Sequence, residues 1–524
     1  MGIYLNPGNE NYSRTVAADI YVDKTMMIAQ TNKFIDKGNN YICISRPRRF
    51  GKTIAGNMLS AYYSKGCDSR ELFAPFKIAR DSCFEEKLNK LNVIKLDMNS
   101  EYQNTVKKNE LITRITKEVK AEMTKEFPDS GILEDDSLGQ SILRVYSATS
   151  ETFVVIMDEY DVLVRENVPD NLFTEYLSFL NSLFKSDTIR PAISLAYLTG
   201  IFPIVRDRVQ SKLNNFREYT ILDARELAEF IGFTNEETAA LCDEYGVDFD
   251  ECRRWYDGYR QHGIEIYNPE SVVNCVESNS FGNYWGKTSR FDVISDRLDE
   301  NFEGTREDVI KMISGEEIMV DPDLFMNTVS GFRTKDEVFT YLIHLGYLAY
   351  DRETGKCRIP NKEIRNEWLR AIKVAKDYSI TNRIVTDSME LLTATIAGDE
   401  EAVARALDAS HIHVTSNRSY NNEDALQSAI YLAYIYALNE YTVIKEMTTG
   451  KGFADVVFIP FRPNRPAMII ELKRNSCTET ALDQIKDKKY FDSLQHYEGQ
   501  LLFVGINYDE KEKTHTCRIE IFEA

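Results

Sequence analysis

Two clusters in this 524-residue chain combine residue types that handle phosphate. The first is Ser45-Arg46-Pro47-Arg48-Arg49-Phe50-Gly51-Lys52-Thr53, set between an apolar run and a helical pattern. Backbone N–H groups at a helix N-terminus point at phosphate, and the helix dipole favours its negative charge. Gly51 lets the backbone come close, Lys52 would reach the β and γ phosphates, and the Thr53 hydroxyl would hold Mg²⁺. The general pattern asks for a first Gly at position 46, where this chain has Arg. A partner lies downstream, where the apolar run Phe153–Met157 ends in Asp158-Glu159. Carboxylates at the C-terminal end of a buried strand face the crevice where ligands bind. Asp158 suits magnesium through water, and Glu159 suits orienting or deprotonating the attacking water. The competing explanation is that Asp158 caps a helix beginning at Tyr160. Thr199 ends the next apolar run, where a γ-phosphate sensor would lie; an ordinary strand-end threonine is the alternative.

The second cluster is Asp455 with Glu471-Leu472-Lys473, sixteen residues further on. On adjacent strands, Asp455 and Glu471 could converge on a divalent cation, and oxygen ligands suit Mg²⁺ or Mn²⁺. Glu471 and Lys473 are two apart, so they point to one side of a strand. Lys473 could then activate water beside the metal and stabilise charge on a scissile phosphate. Solvated strand-end charges, or a fold that binds without cutting, are the alternatives. Lys473-Arg474 and Lys486, Lys488 and Lys489 could hold a phosphate backbone locally, or form a solvated helix face.

Both clusters need elements to position them. Tyr41–Ser45, Val93–Asp97, Phe153–Met157 and Ala192–Thr199 read as buried strands, separated by helical patterns at Thr53 to about Ser64 and at Lys107–Glu126. That alternation predicts a parallel α/β sheet. Asp223 to about Trp285 turns to short helices and aromatic turns. Residues 290–376 are mostly helical and close with strands at Tyr347–Asp351 and Lys356–Pro360, an order that suggests a winged helix or a connector with a hairpin. From about Ser379 the order is α-β-β-β-α-β with a last strand appended: a helix at Asn422–Asn439, strands at Tyr441–Met447, Ala454–Ile459 and Met468–Leu472, a helix at Glu479–Leu494, and strands at Leu501–Ile506 and near Cys517–Phe522. Three domains follow: 1–285, 286–378 and 379–524.

RPRRFGKT together with YVDKT (Tyr21–Thr25), LTGI (Leu198–Ile201), LNNF (Leu213–Phe216), WYDGY (255–259) and YNP (267–269) resembles the bacterial and archaeal AAA-ATPase-like family that carries a C-terminal PD-(D/E)XK nuclease domain. The resemblance spans nearly the whole chain, and Arg46 agrees with that family's own form of the loop. It implies a P-loop NTPase domain with a helical lid, a helical or winged-helix-like connector and a restriction-endonuclease-like α/β domain. It also implies ATP and Mg²⁺ as cofactors, with Mn²⁺ an option at the second site. Arg46, Pro47, Arg48, Arg49, Phe50, Gly51, Lys52, Thr53, Asp158 and Thr199 would surround the nucleotide, with Glu159 catalytic. Asp455, Glu471 and Lys473 would form the nuclease centre, Asp455 and Glu471 holding metal. Glu423 matches an acidic position of the nuclease core, and Gln484 its frequent glutamine. The usual Arg after the turn glycine is Phe453 here.

The expected function is an ATPase coupled to a metal-dependent nuclease acting on nucleic acid, DNA foremost, in a setting of mobile-element or phage conflict. The rival is an ATP-controlled signalling or assembly switch whose C-terminal domain only binds nucleic acid. The net charge of −20 speaks against coating nucleic acid through bulk attraction and leaves room for a local basic groove. Nine scattered cysteines without a C-x-x-C pair point to reduced thiols rather than a zinc site or disulfide framework. His411 and His413 read as a solvated strand or loop. The start of the chain has no signal-peptide pattern, and the longest apolar runs, near Ala192–Val205 and Ala429–Leu438, fall short of the roughly 20 residues that span a bilayer. The expectation is a cytoplasmic protein with no membrane association, with a homo-oligomer left open.

Overall fold

A computed structural model describes residues 2–166, 168–204, 215–287, 292–300, 302–326, 331–374, 379–414, 430–431, 433–449, 452–461, 465–487 and 499–522. The chain separates into two compact units: residues 1–290 with 317–365, and residues 291–316 with 366–524. The stretch 286–378 thus contributes to both. Among the described residues, no helix is long and apolar enough to cross a membrane.

The first unit is built on a five-stranded parallel sheet: β1 (Tyr41–Ser45), β2 (Asn92–Asp97), β3 (Phe153–Asp158), β4 (Ile193–Gly200) and β5 (Arg217–Tyr219) in the order β2-β3-β4-β1-β5. Every residue of β1, β3 and β4 is buried, because helices cover both faces. The helices Lys52–Tyr63 and Leu111–Glu126, close to the two patterns expected, supply that cover together with Leu138–Thr149 and Asp170–Phe184. One core holds Ile94, Leu96, Val155 and Met157 against Ile115, Ile142, Tyr176 and Leu180. Between β1 and β2 the chain crosses to the far side of β3 and β4, so the sheet's C-terminal edge opens beside the loop that leaves β1.

A helical segment follows, with Asn235–Tyr245, Phe249–Tyr256 and Pro269–Ser278 around a small sheet of β6 (Phe233–Thr234), β7 (Tyr259–Gln261) and β8 (Ile264–Tyr267). The expected helix-then-hairpin order is present as the helix Lys335–Leu345, β10 (Ala349–Asp351) and β11 (Lys356–Arg358), with β9 (Ile318–Met319) as a third strand against β11. The Tyr259 hydroxyl donates to Gly346 O at 2.6 Å, fastening this hairpin segment to the rest of the first unit.

The second unit carries a sheet in the order β12 (Tyr441–Thr449), β13 (Gly452–Pro460), β14 (Ala467–Arg474), β15 (Leu501–Asp509), β16 (Thr514–Phe522). Only β14 and β15 run parallel; the other pairs are antiparallel. Met468 and Ile470 pack with Leu391, Val403 and Tyr434 on one face, while Ile469 packs with Leu482 and Ile485 on the other. Alternation of a strand with two covered faces therefore explains the unbroken apolar run of β14. The expected helix Asn422–Asn439 lies largely outside the described residues; Ile435–Asn439 is a 3₁₀ turn. His411 and His413 belong to the helix Glu400–Val414, not to a strand or loop.

Candidate active sites

The helix Lys52–Tyr63 begins directly after Gly51, whose φ of +93° is the left-handed conformation that glycine takes at no steric cost. Nothing lies within 4 Å of a Cβ built there, so the backbone conformation and not crowding calls for glycine. The Lys52 side chain is buried, and its ammonium donates to Arg46 O and Pro47 O, both at 2.9 Å. Burial lowers its pKa, while Glu159, Asp158 and Asp161 act in the opposite direction. The loop is thus wrapped around the lysine, its own carbonyl oxygens holding the ammonium.

Six of the ten residues expected to surround a nucleotide line one cleft of about 610 Å³, namely Arg48, Arg49, Phe50, Gly51, Lys52 and Thr53; the expected catalytic Glu159 lines it too. Thr53 is exposed. Arg49 has a positive φ and pairs with Glu270 across the cleft. Phe50 packs edge-on against Tyr259 with ring centroids 5.4 Å apart. Arg46 takes a different place. It is fully buried, and one guanidinium nitrogen donates to Ser45 O at 2.8 Å and Tyr219 O at 2.9 Å, tying β1 to β5. Its burial disfavours the charged form. Pro47 is buried beside Gly346, where an added Cβ would come within 2.9 Å of the proline ring.

The end of β3 is organised by hydrogen bonds. Asp158 Oδ1 accepts from the Thr199 hydroxyl and from Glu159 N at 3.1 Å. The following helix starts at Val162 with Asp161 before it, so Asp158 is not its cap. The parallel register sets Asp158 beside Asp97, whose carboxylate caps the helix Met98–Asn104 through Ser100 N at 2.9 Å. Glu159 has a φ of 50° and pairs with Arg165. A positive φ on a non-glycine residue costs energy and clusters at functional sites.

Several residues escaped sequence reasoning. Asp161 is fully buried and its Oδ2 accepts from Ile201 N and Phe202 N, each at 2.9 Å, joining the ends of β3 and β4. Tyr21 and Lys24, noticed only as part of YVDKT, line the cleft with Phe230, Phe233 and Val273. The Lys24 ammonium donates to Glu229 O at 2.6 Å and pairs with Glu237. A half-buried lysine against a helix-capping glutamate leaves no mark in sequence beyond the motif itself.

In the second unit, Val456 pairs with Ile470 and Val457 with Ile469. Continued one step, that register sets Asp455 across from Glu471. The Asp455 carboxylate accepts from Leu472 N at 2.7 Å, where the β13–β14 ladder ends. Glu471 is 1% exposed, and its Oε1 lies 3.0 Å from the Lys473 ammonium, as the same-side spacing predicts. Gln484 lies half-buried on the helix Thr478–Asp487. That helix rests on Gly505, where a Cβ would stand 2.7 Å from Thr478 O. Glu423 lies outside the described residues, as do Lys488 and Lys489. Arg474 pairs with Glu510 at 2.9 Å and Lys486 with Glu520 at 2.6 Å. Among the described residues, no group of three or more His, Cys, Asp or Glu is arranged to hold a metal by itself.

A protein described as "Uncharacterized protein in vnfD 5'region" of Azotobacter chroococcum mcd 1 is 23% identical over 522 residues, covering 94% of each chain. Solved structures of low global similarity include the Aeropyrum pernix ORC2 protein in its ADPNP-ADP complexes (11% identity, 69% of this chain and 98% of that one, TM-score 0.28). Cdc6p of Pyrobaculum aerophilum is another (11% identity, 70% and 94%, TM-score 0.25). Residues 8–210 match the family described as "Predicted AAA-ATPase", and residues 421–517 match the PD-(D/E)XK nuclease superfamily. These matches identify an AAA-ATPase-like domain over residues 8–210 and a PD-(D/E)XK nuclease superfamily domain over residues 421–517.

Proposed function

We propose that this protein binds and hydrolyses ATP in the cleft at the end of β1 and cleaves DNA with its C-terminal domain, nucleotide state gating access of DNA to the cutting site. The observation that carries the proposal is the cleft itself. It joins the start of the helix Lys52–Tyr63 to the strained Glu159 in a volume of the size that small-molecule ligands occupy. Phosphates would meet the free N–H groups at that helix start and the Lys52 ammonium. A divalent cation would take oxygen donors from Thr53, which lines the cleft, and from the buried Asp158 at the end of β3, which Thr199 holds in place. Magnesium would supply charge neutralisation on the β and γ phosphates. Glu159 would orient the attacking water, with Arg165 holding its carboxylate.

The nuclease half rests on the superfamily match and on the contact of Glu471 with Lys473 beside Asp455. The two carboxylates are hard oxygen donors of the kind Mg²⁺ or Mn²⁺ takes, and that ion would polarise the scissile phosphate. Lys473 would position water and share the developing charge. We place the protein in the cytoplasm, with self-assembly a further feature to test.

Incubation of purified protein with supercoiled and linear DNA, with Mg²⁺ or Mn²⁺ and with or without ATP, tests this directly. Cleavage by wild type and its loss in Lys473→Ala are expected. ATP hydrolysis without any cleavage of DNA or RNA, and equal DNA retention by both proteins, would instead favour the switch that binds without cutting.

A further inference from the structure

Nine cysteines are spread along the chain, yet three of them meet at one point. Cys242 lies on the helix Asn235–Tyr245, Cys252 on Phe249–Tyr256 and Cys275 on Pro269–Ser278. These helices pack on one another. All three thiols are free and 0% exposed, and they share one core with Phe233, Tyr256 and Val272. The Cys252 thiol is within hydrogen-bonding reach of both Cys242 and Cys275, so it is the centre of the group. A single buried cysteine acts as a small apolar side chain. Cys252 with a thiol neighbour on either side, the three coming from three helices, forms a dithiol with a spare partner. The position matters as well: Pro269, Glu270 and Val273, on the helix of Cys275, line the cleft, and Phe233 belongs to both the cleft and this core.

We propose that Cys242, Cys252 and Cys275 are a redox-sensitive disulfide site, at which a peroxide joins Cys252 to one of its two neighbours and ties the helices beside the cleft together. One thiolate attacks a peroxide oxygen, giving a sulfenic acid and one water; the adjoining thiol displaces the hydroxyl as a second water and the disulfide forms. Two thiols are oxidised and one peroxide is reduced to two waters. Full burial keeps these thiols inert while the helices stay packed, so the reaction proceeds through local opening of this segment. In a reducing compartment the bond is transient, as redox-sensing disulfides are.

Hydrogen peroxide treatment of the full-length protein under native conditions tests this. Remaining thiols are alkylated in denaturant, the chain is cleaved at glutamates without reduction, and linked peptides are identified by mass. The expected product links Cys252 to Cys242 or to Cys275, and dithiothreitol reverses it. Cys242→Ser should keep the Cys252–Cys275 link, Cys275→Ser should keep Cys242–Cys252, and Cys252→Ser should give neither. The oxidised wild type should melt at a higher temperature than the same sample after dithiothreitol. Wild-type protein whose three thiols all remain alkylatable once the exposed Cys477 is oxidised would overturn the proposal, without recourse to any variant. So would a Cys242–Cys275 bond that forms equally well in Cys252→Ser, or a disulfide that leaves the melting temperature unchanged.

Discussion

Asp161 offers a sharp test of how the acidic strand end is held. Its Oδ2 accepts two backbone N–H groups at 2.9 Å, from Ile201 and Phe202, and its Oδ1 lies 3.4 Å from Arg165 Nε. Asp161→Ala deletes both bonds, leaves two buried N–H groups without their acceptor and takes one counter-charge from Arg165. A hydrogen bond to a charged group contributes about 1.5–3 kcal/mol, so two give roughly 3–6 kcal/mol. Breaking one side of a buried pair costs about 3–5 kcal/mol by itself, which overlaps with that sum and does not add to it. We therefore expect a loss of about 3–5 kcal/mol. At roughly 2 °C per kcal/mol for a large domain, the melting transition should fall by about 6–10 °C. Asp161→Asn keeps one carbonyl oxygen to accept the two N–H groups and should lose about half as much. Gly200→Ala probes the same place from the other side, because its Cβ would stand 2.7 Å from Asp161 Oδ1. Calorimetry of the three variants decides the matter. If Asp161→Ala melts within about 1 °C of wild type, the network does not secure the β3 and β4 ends, and the placement of Asp158 and Thr199 has another cause.

Lys52→Ala should weaken ATP binding at least about tenfold in titration calorimetry, since the chief cation near the phosphates is lost; unchanged affinity would dismiss the loop as the site. Glu159→Gln should bind ATP nearly as wild type and hydrolyse it at least about a hundredfold more slowly, measured as phosphate release. Asp455→Ala or Glu471→Ala should abolish DNA cleavage and leave ATP affinity within about twofold, as read by gel and calorimetry. Asp257 gives a pH signature: burial raises its carboxyl from 3.8 to about 6. A raised carboxyl contributes stability below its unfolded pKa and loses it as pH rises through about 6, so the contribution grows from pH 6 down to about 4, by at most about 3 kcal/mol. Asp257→Asn should remove that component from a pH series of melting curves; parallel curves for the two proteins would refute the assignment.

By itself the sequence determined which segments must be strands and what kind of chemistry their ends could do. Apolar runs such as YICIS, FVVIM and AMIIE are continuous because both faces are covered, and a run of that kind is legible without coordinates. The Gly51-Lys52-Thr53 turn into a helix and the Glu471-Leu472-Lys473 spacing were legible for the same reason: a local period dictates them. What only the tertiary structure decided depends on residues far apart in the chain. Arg46 stands where glycine is usual, and only the approach of β5, ending at Tyr219, gives its guanidinium a buried carbonyl to bond. Thr199 was ambiguous until β4 was set beside β3, which brings its hydroxyl to Asp158. Asp161 carried no signal, since its partners Ile201 and Phe202 are backbone groups forty residues on. The three thiols looked scattered for the same reason: helix packing, not spacing along the chain, brings Cys242, Cys252 and Cys275 together. Periodicity reports what a segment faces, while pairing across the fold is set by packing that no single segment encodes.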